Sequence, residues 1–219
     1  MRRSVRQCNF SVRIEHGKMK GVKISNGFCQ EGSRITTSAN RCVLFNILQN
    51  SLHIDLTNMK CADLCCGSGI IGFEMLSLGA KECVFIDSDF KKISDINHAI
   101  QKYHFNGSCV QLYLSKHNLK YFTNFFRENS SFDLIFFDPP YENDFCQAVI
   151  DTIFDNDNNI LSDNGILIIE TKYNIEADDI TPKNIGDKTA LNNVNYTIRC
   201  VKKLKNGASF YFLSKLKKI

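Results

Sequence analysis

The sequence predicts an α/β protein built on a mainly parallel sheet, and three observations carry that prediction. Between residues 60 and 172, short apolar runs alternate with longer segments of helical periodicity, the pattern of strands joined by helices that cover both sheet faces. A glycine-rich stretch, Gly67-x-Gly69-x-x-Gly72, sits where the first of these strands hands over to its helix. Two further runs flank Asn206-Gly207 near the end of the chain, a hairpin signal that would add an antiparallel edge.

Each element follows from its own pattern. "FSVRIEHGKMKGVKIS" (10–25) reads as two short alternating strands around Gly17 and Gly21, a small ribbon. "NGFCQEGSRITT" reads as a loop. "SANRCVLFNILQNSL" (38–52) starts with Ser38 as its capping residue and repeats apolar side chains at Val43, Leu44, Ile47 and Leu48, so it reads as a helix. Then "KCADLCC" is a strand and "GIIGFEMLSLG" a helix ended by Gly79. "ECVFID" is a strand, "DFKKISDINHAIQKYH" a helix, "SCVQLYL" a strand and "HNLKYFTNFFREN" a helix. "FDLIFFD" is a strand, "NDFCQAVIDTIF" a helix and "NGILIIETK" a strand. Residues 173–194, rich in Asn and Asp, read as a loop with a short helix, and the closing hairpin lies within "VNYTIRCVKKLKNGASFYFLSKL".

Composition bounds the function. The 219 residues are 43% hydrophobic and 23% charged, which suits a soluble globular protein. No apolar run approaches the roughly 18 residues that cross a bilayer, and the basic start MRRSVRQCNF continues into polar sequence rather than a secretory leader. Ten cysteines are scattered without a disulfide framework, and neither they nor the five histidines show zinc spacing. Reduced thiols in a cytoplasmic protein, with no membrane and no metal, are the expectation. The net charge of +4 is unevenly spread. Residues 1–50 hold nine Lys/Arg and two acids, and residues 201–219 hold six lysines and no acid, leaving twelve basic and twenty-one acidic residues between. Basic ends around an acidic centre fit a polyanionic partner met by the ends, or else solvated termini.

Two loops carry chemistry. In "DLCCGSGIIG" (63–72) the glycines let backbone approach a nucleotide-type ligand, and Asp87, twenty residues beyond Gly67 at the next strand end, would accept ribose hydroxyls. Read literally, this is also a nicotinamide-dinucleotide fingerprint. Asp63 argues against that reading, because the strand leading into a dinucleotide site is apolar. A carboxylate there suits a ligand with an ammonium group as well as a ribose, and S-adenosylmethionine has both. The second loop is Asp138-Pro139-Pro140-Tyr141. Proline cannot join a ladder and restricts its predecessor, so the pair ends the strand and fixes the loop. The carboxylate of Asp138 and the carbonyl of Pro139 are two fixed acceptors for the two hydrogens of a planar exocyclic amine, and Tyr141 offers a ring on which the base can stack.

Taken together, "DLCCGSGIIG", "FIDSD" and "DPPY" resemble the class I S-adenosylmethionine-dependent amino-methyltransferases. "VRIEHGKMKGVKI" and "RITTSANRCVLFNIL" (34–48) are similar to the opening of the RsmD-type 16S rRNA (guanine-N2)-methyltransferases. The resemblance covers residues 10–172. It implies a Rossmann-like class I methyltransferase fold: a mainly parallel seven-stranded sheet with an antiparallel C-terminal hairpin, preceded by a small ribbon and helix. Residues 1–52 would form a basic RNA-contacting extension and 53–219 the methyltransferase domain.

By the same resemblance, Asp63, Cys66, Gly67, Ser68, Gly69 and Gly72 would surround the methionine and ribose of S-adenosyl-L-methionine, with Asp87 and Ser88 at the ribose. His117 stands where the family places an acid near the adenine, so a backbone group, Asn118 or His117 itself would substitute. Asp138, Pro139, Pro140 and Tyr141 would hold a guanine of 16S rRNA within the small ribosomal subunit, and the enzyme would act as a monomer. Arg13, Lys18, Lys20, Lys23, Arg34 and Arg41 would contact RNA, while Thr36 and Asn46 fall on the motif that flanks the active site. Ile35, Ser38, Ala39 and Cys42 depart from the family pattern. Three alternatives remain open: an amino-methyltransferase acting on adenine or on a protein amide, a nicotinamide oxidoreductase, and a non-catalytic RNA-binding module.

Overall fold

Strands and helices alternate as the periodicity requires. The structure is a computed structural model, and it describes residues 10–26, 36–113, 119–128, 131–139, 143–155, 157–172, 175 and 196–216. In chain order the elements are β1 (Phe10–Arg13), β2 (Lys23–Asn26), α1 (Ser38–Asn46), β3 (Lys60–Leu64), α2 (Ile70–Ser77), β4 (Glu82–Asp87), α3 (Phe90–Tyr103) and β5 (Gly107–Gln111). They continue with α4 (Leu119–Glu128), β6 (Phe132–Phe137), α5 (Asn143–Phe154), β7 (Leu161–Thr171), β8 (Tyr196–Lys203) and β9 (Ser209–Lys215). Among the described residues β1 and β2 pair alone, and the other strands form a seven-stranded sheet of order β5-β4-β3-β6-β7-β9-β8. The chain divides into two compact units, residues 1–113 and 114–219.

In the first unit β3, β4 and β5 run parallel, with Cys61 opposite Cys83 and Phe85 opposite Cys109. All eight residues of α2 are buried, which explains why its sequence shows no polar stripe. A Cβ on Gly72 would collide with the Phe85 ring, so this glycine sets how closely α2 lies on β4. α3 buries Ile93, Ile96, Ala99 and Ile100 along one stripe and is capped by the Asp89 side chain, which accepts from Lys91 N.

α1 corrects two expectations. Its cap is Thr37 rather than Ser38: the Thr37 hydroxyl accepts from Asn40 N, while the Ser38 hydroxyl donates to Glu15. The expected helix over 38–52 is α-helical only to Asn46 and then widens into a π-helical turn, Ile47–Ser51.

The ribbon is fastened to α2 by a buried carboxylate that periodicity does not reveal. Glu74 is fully buried and accepts from Glu15 N and His16 N, each at 2.9 Å. Its Oε2 also lies 3.0 Å from His16 Nδ1, and its Oε1 lies 3.2 Å from Arg41 Nε. Arg41 reaches on to the carbonyls of Thr36 and Arg13. One turn later Ser77 accepts from Met19 N, donates to His16 O, and offers its carbonyl to Lys18 N. Gly17, at φ +73°, rests so closely on the Ser77 carbonyl that no Cβ fits.

The second unit has a phenylalanine-rich core. Phe122, Phe126 and Phe132 are fully buried, with consecutive ring centroids 4.5 and 5.0 Å apart. β6 and β7 are parallel, β9 runs antiparallel to β7, and β8 pairs with β9. The β8–β9 register slips between Ile198 and Cys200, which leaves Arg199 as an extra, bulged residue. Gly207, at φ +81°, forms the turn beside Asn206, whose side chain accepts from Ala208 N. Several expected strands shift at their ends: β3 stops at Leu64 instead of Cys66, β5 stops at Gln111, and β7 starts as early as Leu161. Except for residue 175, the expected loop over 173–194 lies outside the described residues.

Removing Glu74 would leave the buried Arg41 guanidinium with only the half-buried Glu15 carboxylate, 3.7 Å away, as a counter-charge. Glu74→Ala should therefore lower stability by about 3–5 kcal/mol, as measured by denaturant unfolding.

Candidate functional site

The glycine loop follows β3, and its shape is set by hydrogen bonds to both neighbouring strands. Cys65, at φ +56°, turns the chain out of β3 in a left-handed conformation rare for a residue with a Cβ. Cys66 then donates its N–H to Ile86 O of β4 and accepts from Gly69 N. Gly67 N–H donates to Asp87 Oδ2 at 2.8 Å. The other Asp87 oxygen accepts from Asp89 N at 2.9 Å, and Lys92 Nζ lies 3.7 Å away. Asp87 thus ties the glycine loop to the start of α3. A carboxylate has about four lone-pair sites, so it retains acceptor capacity after binding these two backbone N–H groups.

The three glycines have different duties. Gly67, at φ +54°, would place a Cβ in open space with Cys65 O at 4.0 Å, so a ligand can come close to the backbone there. Gly69, at φ +72°, caps α2 and lies against Ile96. Gly72, expected around the cofactor, is instead buried in the packing between α2 and β4, the close-approach role of the third glycine in such loops.

Asp63 is 1% exposed and accepts from Gly72 N at 2.9 Å, so its carboxylate fixes the first turn of α2. Ser68 is half-buried, with its hydroxyl 3.4 Å from Ile70 N. Ser88 is exposed, and its carbonyl accepts from Gln111 Nε2. Burial, followed by the nearby Asp63 and Asp87 carboxylates, holds the Cys66 thiol well above its ordinary pKa.

In the second unit, β6 delivers Asp138 to its carboxyl end. Leu134, Ile135, Phe136 and Phe137 are all buried, and the chain then emerges as half-buried Asp138 followed by buried Pro139. Phe137 stands edge-on to Phe145 of α5, ring centroids 5.8 Å apart, which anchors the strand end. Pro140 and Tyr141, like His117, Asn118 and Arg34, lie outside the described residues.

Among the residues expected to meet RNA, Arg13, Lys18, Lys20 and Lys23 are exposed on the ribbon and its loop. Arg41 is a correction. It is 2% exposed and committed to Glu74, Thr36 and Arg13, so it cannot reach a phosphate. Thr36 is buried and Asn46 exposed. Sequence reasoning missed Glu74 and His16. The available signal was a carboxylate inside an otherwise apolar helix, which must be paired when buried. Among the described residues, no cluster of three His, Cys, Asp or Glu side chains could hold a metal ion, and no helix is long and apolar enough to cross a membrane.

Strand order β5-β4-β3-β6-β7-β9-β8 with reversed β9, a glycine loop after β3, an acid ending β4 and Asp-Pro after β6 define a class I methyltransferase fold. Residues 12–199 match the family described as "Conserved hypothetical protein 95". The chain belongs to that family, the RsmD-like methyltransferases. Ribosomal RNA small subunit methyltransferase D of Haemophilus influenzae is 28% identical over 173 residues, 79% of this chain and 84% of that protein. The structure of the yhhF protein of Escherichia coli, assigned as a methyltransferase, superposes with TM-score 0.71 at 19% identity, covering 95% of this chain and all of that one. SMU.776, assigned as a methyltransferase and solved with SAH, superposes with TM-score 0.55 at 16% identity, covering 90% of this chain and 52% of its own. These two structures share the fold.

The Cys66 environment makes a direct prediction. At about pH 8.5, where an ordinary thiol is half ionised, iodoacetamide should leave Cys66 unlabelled in the folded protein and label it after unfolding, read by peptide mass spectrometry.

Proposed function

We propose that this chain transfers a methyl group from S-adenosyl-L-methionine to the exocyclic N2 amine of a guanine in 16S rRNA, with the small ribosomal subunit as substrate in the cytoplasm. The observation that carries this reading is the glycine loop held open by Asp87, in a chain that also ends β6 in Asp138-Pro139. The family match supports the reaction class. The relative named for ribosomal RNA and the small subunit supports the substrate, and the neighbour solved with SAH supports the cofactor.

The loop geometry fits that cofactor. Gly67 leaves open space beside its backbone, and Asp87 can accept ribose hydroxyls beside the N–H groups it already binds. Asp63 supplies negative charge for the ammonium group, close to the first turn of α2. When bound, S-adenosylmethionine supplies an electrophilic methyl on a sulfonium.

Asp138 and the Pro139 carbonyl accept the two hydrogens of the amine. They would orient a nitrogen whose lone pair is delocalised into the base, and would stabilise the positive charge on it as the N–C bond forms and the methyl–sulfur bond breaks. The surplus amine proton would pass to Asp138 and on to solvent, with S-adenosylhomocysteine leaving. Tyr141 stacks on the base, which must be unpaired or extruded to be reached. The exposed lysines and arginine of the ribbon bind flanking phosphates. Lys18 N bonds the carbonyl of Ser77 at the last residue of α2, one helix length (about 12 Å) from the glycine loop. The ribbon loop therefore stands one helix length from the loop that would hold the cofactor.

Methyl transfer from labelled cofactor should be measured on small subunits lacking the modification, naked 16S rRNA and duplex DNA in parallel, with the modified base identified by mass spectrometry. N2-methylguanine in the subunit is the expected product, and Asp138→Ala should reduce turnover by about 10²–10³-fold. Label in DNA, or none anywhere despite cofactor binding, would overturn the substrate assignment.

A further inference from the structure

The ribbon carries an arrangement that its own folding disfavours. Arg13 and Lys23 are directly opposite each other in the β1–β2 register, both exposed on the face away from buried Val12 and Ile24. Like charges directly opposite on a strand pair are destabilising. Beside them, Tyr103 at the end of α3 donates its hydroxyl to Lys23 O at 3.1 Å, and Lys102 Nζ lies 5.0 Å from the Tyr103 ring centroid. Three cations from three elements are therefore linked through the Tyr103–Lys23 contact: Arg13 of β1, Lys23 of β2 and Lys102 of α3. Among the described residues, no carboxylate pairs with any of them.

The rest of α3 continues this surface. Its exposed positions are Phe90, Lys91, Ser94, Asn97, His98, Gln101 and Lys102, and none is an acid. Residues 51–200 hold twenty-one acids against twelve bases, so a face whose one acid within the helix is half-buried Asp95 stands out from its surroundings. α3 starts three residues after Asp87 and spans 14 residues, about 21 Å, ending at the ribbon. Beyond its capping acid Asp89, this face thus runs from the strand end that would hold the cofactor to the ribbon that would hold RNA.

We propose that Arg13, Lys23 and Lys102 form one RNA-phosphate site, and that the exposed face of α3 is part of the RNA-binding surface. This rests on the RNA substrate proposed above and adds an element outside the ribbon. Phosphate oxygens between the three cations relieve the Arg13–Lys23 repulsion, and Tyr103 keeps α3 and β2 in register through its bond to Lys23 O. Solvated lysines with no ligand would produce no shared salt dependence.

The test is the affinity of the full chain for a 16S rRNA transcript, measured across a salt series by fluorescence anisotropy. The variants are Lys102→Ala, Lys102→Arg, the Arg13→Ala/Lys23→Ala pair, and Lys120→Ala on α4 as a charge-matched control. Removing one cation from a phosphate should flatten the log K against log salt slope by about 0.7–0.9. Lys102→Ala is expected to flatten it by about that amount and Lys102→Arg to restore it, with S-adenosylmethionine affinity and thermal midpoint unchanged in both. If Lys102→Ala matches Lys120→Ala while the ribbon pair flattens the slope, the α3 site is refuted and the ribbon's binding to RNA stands. If neither flattens it, both fall.

Discussion

The N-terminal half of this protein depends on one buried carboxylate. Glu74 lies on a helix with no exposed residue, yet it binds two backbone N–H groups, an imidazole and a guanidinium. A buried ion pair contributes little net stability compared with well-packed apolar residues, but breaking one side of it is costly. What it provides is position. Strand β1, the loop after it and helix α1 all meet α2 at this point, and α2 begins at the glycine loop. The ribbon and the ligand loop are therefore carried by opposite ends of one short, rigid helix, and their separation is fixed by its length.

The same economy governs the glycine loop. Asp63 and Asp87, the two acids one would assign to a ligand, are already bonded to the backbone, at Gly72 N and Gly67 N. This is preorganisation: the carboxylates are held in place before any ligand arrives, so binding need not order them. It also explains a left-handed Cys65 where glycine would be easier. The two bonds that follow it, Cys66 N to Ile86 O and Gly67 N to Asp87, offset the strain.

Much of the fold could be read from the sequence because its signals are local. The alternation of apolar runs locates β3, β4, β6 and the helices between them, and Asn206-Gly207 marks the closing hairpin. Signals that depend on distant partners were not legible. Arg41 reads as a surface cation because nothing near it in the chain shows Glu74, thirty-three residues later. Thr37 and Ser38 are both good capping residues, and the choice falls to Thr37 because Ser38 bonds Glu15 across the ribbon. The glycine spacing locates the ligand loop but cannot tell that Gly72 serves Phe85, since that depends on how closely a helix meets the neighbouring strand.

The bulge at Arg199 bears on whether another strand could pair with this edge of the sheet. Among the described residues β8 is the last strand in the sheet order, with no strand paired to its outer side. Such an edge invites another chain to extend the ladder, the first step toward amyloid-like association. The extra residue at 199 puts the edge donors and acceptors out of phase, and exposed Arg199, Lys202 and Lys203 set like charges where an incoming strand would lie. The irregular register and these basic side chains together disfavour strand addition at this edge.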